Sequence, residues 1–460
     1  MAGLTLQSAI VAAIVLILIV LLTVGFAARP VMAVPLLLLD EFTNPTNSPL
    51  GVMVGRLHVY PGDILTLALV VASIIRFLRW RNGPRAPKRL IVLLVILLLG
   101  LARGVASFGV QTPVVFGREM LSMVAAAIFF STVRVTPELI RTLRNWLLVA
   151  STVLLIVAAR FWVLHGFGTF ASTGQRPLNT FQALIVLETT IFVVLFPPFR
   201  SAFLHFITPL VGIVVLLFSI ERTVWAAGVV AIVVLVIAGK EVRGSGSLMT
   251  RRILAVTGVL AVVLLVAAGP TEVTSSLTTG IQQTSVTQVS TFSWRLQGWS
   301  ILITRQLDGP TVDLVLGSPT GTGYDRVVEG VATTAYPHSE YVSTLDLTGL
   351  VGVILLLWLY LAAIKRCRKR LRALSPFVNQ SALLFIVLMA VQLTFFIGYS
   401  EGILVGLMLG LAWGFVHGSS EVPLVDPGQH FTSASAKRLL LVADPHTPST
   451  ISESTEDGVP

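Results

Sequence analysis

Apolar residues in this chain come in long unbroken runs, without the stripes of an amphipathic helix or the alternation of a half-buried strand. Twelve such runs fall near residues 9–28, 62–79, 89–107, 115–133, 144–164, 180–197, 200–218, 222–239, 252–268, 347–364, 378–396 and 401–417. Their lengths match the roughly 20 residues that carry a helix across hydrocarbon. Helix is the expected form because no water reaches the backbone there, so each segment must satisfy its own hydrogen bonds. A membrane barrel would show alternating strands of about ten residues, and that alternation is absent. The pattern therefore predicts an all-α polytopic membrane protein with about 12 transmembrane helices.

The polar positions divide the chain. Residues 1–269 hold nine predicted helices, 270–346 one large extracytoplasmic loop, and 347–417 three more helices. Residues 418–460, rich in Ser, Thr, Pro and acids, form a tail predicted to be disordered. A second polar interval, Pro30 to Pro61, opens with the apolar MAVPLLLL, which either dips back into the membrane or lies along its surface. In the large loop, SWRLQGWSILITRQL places Trp299, Leu302 and Ile303 at helical spacing, as for a helix lying at the lipid interface. No internal repeat is visible, which counts against a transporter built from inverted repeats.

Composition agrees. Hydrophobic residues make up 55% and charged residues 12% of the 460 positions, against about a quarter charged in soluble domains. Mean hydropathy is +0.88. The first run lacks a basic leader and a cleavage site and reads as a retained span. The net charge of +10 arises from 27 Arg and 5 Lys against 22 acids. In a membrane protein this reflects cytoplasmic retention of basic loops, so no nucleic-acid partner is implied. One cysteine, Cys367, excludes an intramolecular disulfide and a cysteine metal site.

With both ends placed inside, 22 of the 32 basic residues fall in cytoplasmic segments. The other ten are all arginine: Arg29, Arg56, Arg103, Arg118, Arg160, Arg176, Arg222, Arg295, Arg305 and Arg326. Arginine keeps its charge and grips phosphate oxygens with a planar fork. Arg103, Arg118, Arg160 and Arg222 sit in or at the ends of apolar runs, where a charge is costly. Four in one leaflet suggest a shared anionic ligand, against the plainer reading of snorkelling or pairing with Glu119 or Glu221. Asp40-Glu41 offers an acidic pair for metal or acceptor activation, though without further carboxylates or a histidine beside it. The histidines lack metal-ligand spacing and no nucleotide-binding motif is present, so no metal and no cofactor are expected. His338, in AYPHSEYVSTLDLTGLVG, stands where the long loop meets a span. An unperturbed pKa near about 6.5 would let it take a proton at neutral pH.

The block Pro337-His338-x-x-Tyr341-x-x-x-Leu345-x-x-x-Gly349-x-x-Gly352 resembles the signature closing the large periplasmic loop of O-antigen ligases and the related polysaccharide polymerases. GSPTGTGY is similar to that family's glycine-rich turn, SWRLQGW to its arginine-bearing loop helix, and ERTVWAAGVVAIVVL to its Ser-Arg-Thr span opening. Ser339 stands where Asn is common, Glu221 where Ser is common, and Leu347 where Glu is often found. The resemblance covers most of the chain as architecture and about 130 residues as motif, from Ser219 to Gly352. It implies a metal-independent glycosyltransferase of the membrane-embedded C-like class in a bacterial inner membrane. Such an enzyme moves a glycan from undecaprenyl diphosphate to a hydroxyl of a glycan, lipid or protein acceptor outside the membrane. On that reading Arg222 and Arg295 hold the diphosphate, Arg118, Arg160 and Tyr341 assist substrate binding, and His338 is the general base. A polymerase extending lipid-linked repeat units is the alternative within the family, and a transporter of lipid-linked sugar the alternative outside it. The sequence leaves the oligomeric state open.

Overall fold

The computed structural model describes residues 6–43, 52–54, 57–79, 84–166, 176–199, 201–219, 221–242, 291–399 and 402–418. The ninth apolar run, Arg56, the Ser/Thr-rich stretch before Thr291 and the polar tail lie outside the described residues. The chain is a bundle of helices: α1 (Leu6–Ala28), α2 (Ala33–Thr43), α3 (Pro61–Arg79), α4 (Lys88–Phe108), α5 (Gln111–Ser131), α6 (Pro137–His165) and α7 (Thr180–Leu195). Then come α8 (Ala202–Phe218), α9 (Arg222–Gly239), α10 (Thr291–Asp308), α11 (Thr311–Leu316), α12 (Glu340–Arg368), α13 (Pro376–Phe395) and α14 (Ile403–Gly418). Two small antiparallel hairpins, Val52–Val54 with Leu57–Val59 and Arg326–Val328 with Val331–Thr333, are the strands among the described residues. Eight helices are long and apolar enough to cross a membrane, and α7, α8 and α14 are shorter apolar helices.

One end of the bundle is basic, and its arginines close helix C-termini, where unpaired carbonyls and the negative end of the helix dipole collect. Arg76 donates to the Ala27 carbonyl at the end of α1 and to the Thr132 carbonyl after α5. Arg144 donates to the carbonyls of Phe196 and Pro197 after α7, and Arg368 pairs with Glu241 below α9 at 2.8 Å. The opposite end carries α10, α11 and both hairpins.

These contacts correct one expectation. Phe26 packs on Phe129 at 6.3 Å, and the other part of α1 meets the first hairpin. Helix α1 therefore runs in the same direction as α3, with its last turn at the basic end. Arg29 belongs there as well, and the first residues of α1 lie at the loop end, not beside the end of α14. Parity is restored by α2. The MAVPLLLL segment is a short buried helix climbing from the basic end back toward the loop end, with Val34, Leu37 and Leu38 in the core.

The inner helix of the bundle is α14, buried along its length against α5. Gly406, Gly410 and Gly414 form a stripe at four-residue spacing. A Cβ at these positions would fall 2.0 Å from the Met123 carbonyl oxygen, 2.6 Å from that of Ala127 and 2.3 Å from that of Val133. In lipid, where apolar association gains nothing from expelling water, such close backbone contact supplies the packing energy.

The loop helix α10 also departs from expectation. Its Leu302 is buried with Tyr324 and Val342, and Trp299 and Ile303 pack on the same cluster. The apolar face predicted for lipid is the small core of the loop region instead.

Candidate functional site

Helix α12 breaks at Gly349, whose φ is +65°. A Cβ there would sit 2.4 Å from the Val315 carbonyl, and the loop after α11 fills the gap by donating from the Ser318 N–H to the Asp346 carbonyl at 2.7 Å. Tyr341 and Tyr360 both pack edge-on against Phe396, at 6.1 and 5.5 Å. In a straight helix their Cα atoms would be separated by about 28 Å. The bend thus folds the first turns of α12 back over the end of α13. There the Glu340 N–H donates to the carbonyls of Phe396 and Tyr399.

His338 is set just ahead of that docked turn, with φ at +50°, a left-handed conformation that costs a non-glycine residue about 1 kcal/mol or more. Its neighbours fix it. Trp299 Nε1 donates to the Pro337 carbonyl, and Arg326 donates to the carbonyls of Tyr324 and Ala335. The imidazole lies 5.6 Å from the Tyr399 ring. Burial, reinforced by Arg295 and Arg326, pushes its pKa down to about 4, so at neutral pH it is an uncharged base.

Tyr399 also forms a wall of a cavity of about 210 Å³ at the loop end of α9, lined by Arg176, Glu221, Arg222, Arg295 and Trp299 among others. Arg176 binds Glu221 at 2.6 Å, and the second carboxylate oxygen accepts from Thr180 at 2.8 Å. Burial raises the Glu221 carboxyl, and Arg176 acts against that rise. Arg295 reaches the Gly398 carbonyl at 3.4 Å and lies 5.7 Å from the Tyr399 ring centre. With Glu221 ionised as the partner of Arg176, three guanidinium groups and one carboxylate leave the cavity a formal charge of +2. Its volume is below the about 300–1,000 Å³ of typical ligand pockets, a size for an anionic headgroup more than for a whole glycan.

The structure brings together Arg222, Arg295 and His338, and adds Arg176, Glu221 and Tyr399. It does not gather the other candidates. Arg118 pairs with Asp63 at 2.6 Å and lies over the Tyr60 ring at 4.4 Å. Arg160 is exposed on α6. Arg103 pairs with Asp313 and holds the Gly317 carbonyl, while Arg305 pairs with Asp346 at 3.1 Å. The four membrane-edge arginines thus have separate surroundings. Tyr341 donates to the Leu393 carbonyl at 2.7 Å, which makes it a brace between α12 and α13.

Asp40 and Glu41 lie at the starts of two other helices. The Asp40 carboxylate lies over Gly62 in the first turn of α3, where a Cβ would approach to 2.7 Å. Glu41 accepts from the Leu404 N–H at the start of α14, and Gly402 leaves it room. Among the described residues no group of three His, Cys, Asp or Glu side chains is arranged to hold a metal ion. No family model and no curated protein matches this sequence.

Proposed function

We propose that this protein is a glycosyltransferase of a bacterial inner membrane, its cavity opening toward the outer face, that transfers a glycan from a polyprenyl diphosphate to an acceptor hydroxyl. The observation that carries the reading is the charge of the arginine cavity. A diphosphate esterified at both ends bears two negative charges at neutral pH, which the net +2 of Arg176, Arg222, Arg295 and Glu221 balances. In transfer, the bond between the anomeric carbon and the phosphate oxygen breaks and its electron pair stays on the diphosphate. The arginines stabilise that growing charge in a site poor in water. The acceptor oxygen bonds to the anomeric carbon and gives its proton to His338, which is neutral and lies next to the cavity across Tyr399.

The test is purified protein with a polyprenyl-diphosphate oligosaccharide and a panel of hydroxyl acceptors, scored for transferred glycan. His338→Ala and Arg222→Ala are each expected to reduce turnover by about 100-fold or more. Wild-type turnover in both variants would remove the site assignment.

A further inference from the structure

We propose that Tyr399 is a positioning residue of this site, the shared wall through which occupancy of the arginine cavity is felt at His338. The proposal rests on the donor reading given above. Three groups arriving from distant parts of the chain meet on this one side chain. The phenol hydroxyl hydrogen-bonds Arg176, from the segment before α7. The ring lies 5.7 Å from the guanidinium carbon of Arg295, from α10, and 5.6 Å from the imidazole of His338, ahead of α12. The ring itself is held by Phe395 at 5.7 Å and Phe181 at 6.4 Å, and the backbone carbonyl accepts the Glu340 N–H at 3.1 Å. A residue fixed on so many sides cannot swing to suit one partner without displacing the others.

The physical consequence is a coupling. The charged groups acting on His338 are Arg295 from α10 and Arg326 from the second hairpin. Arg326 is engaged with two backbone carbonyls. Arg295 faces the cavity, so an anion bound there offsets its field at the imidazole and favours the protonated form. The strength of that effect depends on what lies between. A packed aromatic ring keeps water out, and charges separated by protein interact several-fold more strongly than charges separated by water. Tyr399 thereby makes His338 a better base when the donor is bound than when the cavity is empty.

The two parts of the tyrosine separate by substitution. Tyr399→Phe retains the ring and loses the bond to Arg176; Tyr399→Leu loses the ring. The full-length protein in nanodiscs, labelled with 15N-histidine, is titrated by NMR with and without farnesyl diphosphate, and His338→Ala assigns the signal. In the wild type the probe is expected to move the His338 midpoint upward by about one pH unit. Tyr399→Phe is expected to keep that movement while binding the probe about tenfold more weakly, as for loss of one charge-assisted hydrogen bond. Tyr399→Leu, which also lacks the bond to Arg176, is expected to bind the probe as weakly as Tyr399→Phe but with the movement reduced several-fold. A full-sized movement in Tyr399→Leu, or unchanged affinity in Tyr399→Phe, overturns the role given to Tyr399 while leaving the donor reading standing. If the wild type fails to bind farnesyl diphosphate, the donor reading falls and this role falls with it.

Discussion

His338 combines a left-handed backbone with a suppressed charge, and both follow from where its neighbours hold it. The φ of +50° is imposed between the Pro337 carbonyl bonded by Trp299 and the Glu340 N–H bonded to the end of α13. The midpoint of about 4 follows from burial and two nearby guanidinium groups. This makes a pH prediction of unusual form. The acid limb of kcat/KM, which reports the free enzyme, should lie near pH 4 and not near the usual histidine value. The acid limb of kcat, which reports the donor complex, should lie higher because the bound diphosphate offsets Arg295. Measuring both profiles with a saturating acceptor decides it: coincident limbs would mean that the imidazole does not sense the cavity. At this scale the sequence was informative about residue types and silent about partners. His338, Arg222 and Arg295 could be picked because each sits in a block that resembles a family motif. Arg118 and Arg160 carried the same signal of an arginine at a span end, yet one is satisfied by Asp63 and the other is exposed. Arg176 and Tyr399 had no periodicity to single them out. Their place in the site depends on α7, α10, α12 and α13 meeting, which no local pattern encodes.

Among the helices, the least legible was a short one. Helix α2 has only 11 residues, contains Pro35 and ends in two acids, so it fell below the length expected of a span. Its acids meet two longer helices, Asp40 packing over Gly62 of α3 and Glu41 accepting from the Leu404 N–H of α14. By contrast, the stripe Gly406, Gly410 and Gly414 gained its meaning only from the structure. What it packs against, the carbonyls of α5, needed the fold.

The bundle as a whole has a polarity that can be checked without knowing the substrate. Apolar run length located eleven of the described helices. Direction was harder, because a charge count with both ends inside also gives a consistent topology when one short helix goes unrecognised. The contacts of Phe26 with Phe129 and of Arg76 with the Ala27 carbonyl reverse α1 and put its beginning on the side of α10 and the hairpins. If the basic end faces the cytoplasm, as retention of arginine-rich loops requires, α1 begins outside and α14 ends inside. Cys367 is fully buried, so introduced cysteines can be labelled with little background. Val327→Cys, at an exposed site on the second hairpin, and a tag fused ahead of Met1 should both be reached by membrane-impermeant reagents on intact cells stripped of the outer membrane. Arg372→Cys, whose side chain is 74% exposed beyond the basic end of α12, should react only after permeabilisation. A tag that behaves like Arg372→Cys instead would restore the ends-inside topology and with it an even number of crossings. Labelling of Arg372→Cys on intact cells together with protection of Val327→Cys would invert the molecule. That result would place the arginine cavity on the cytoplasmic side and exclude transfer at the outer face.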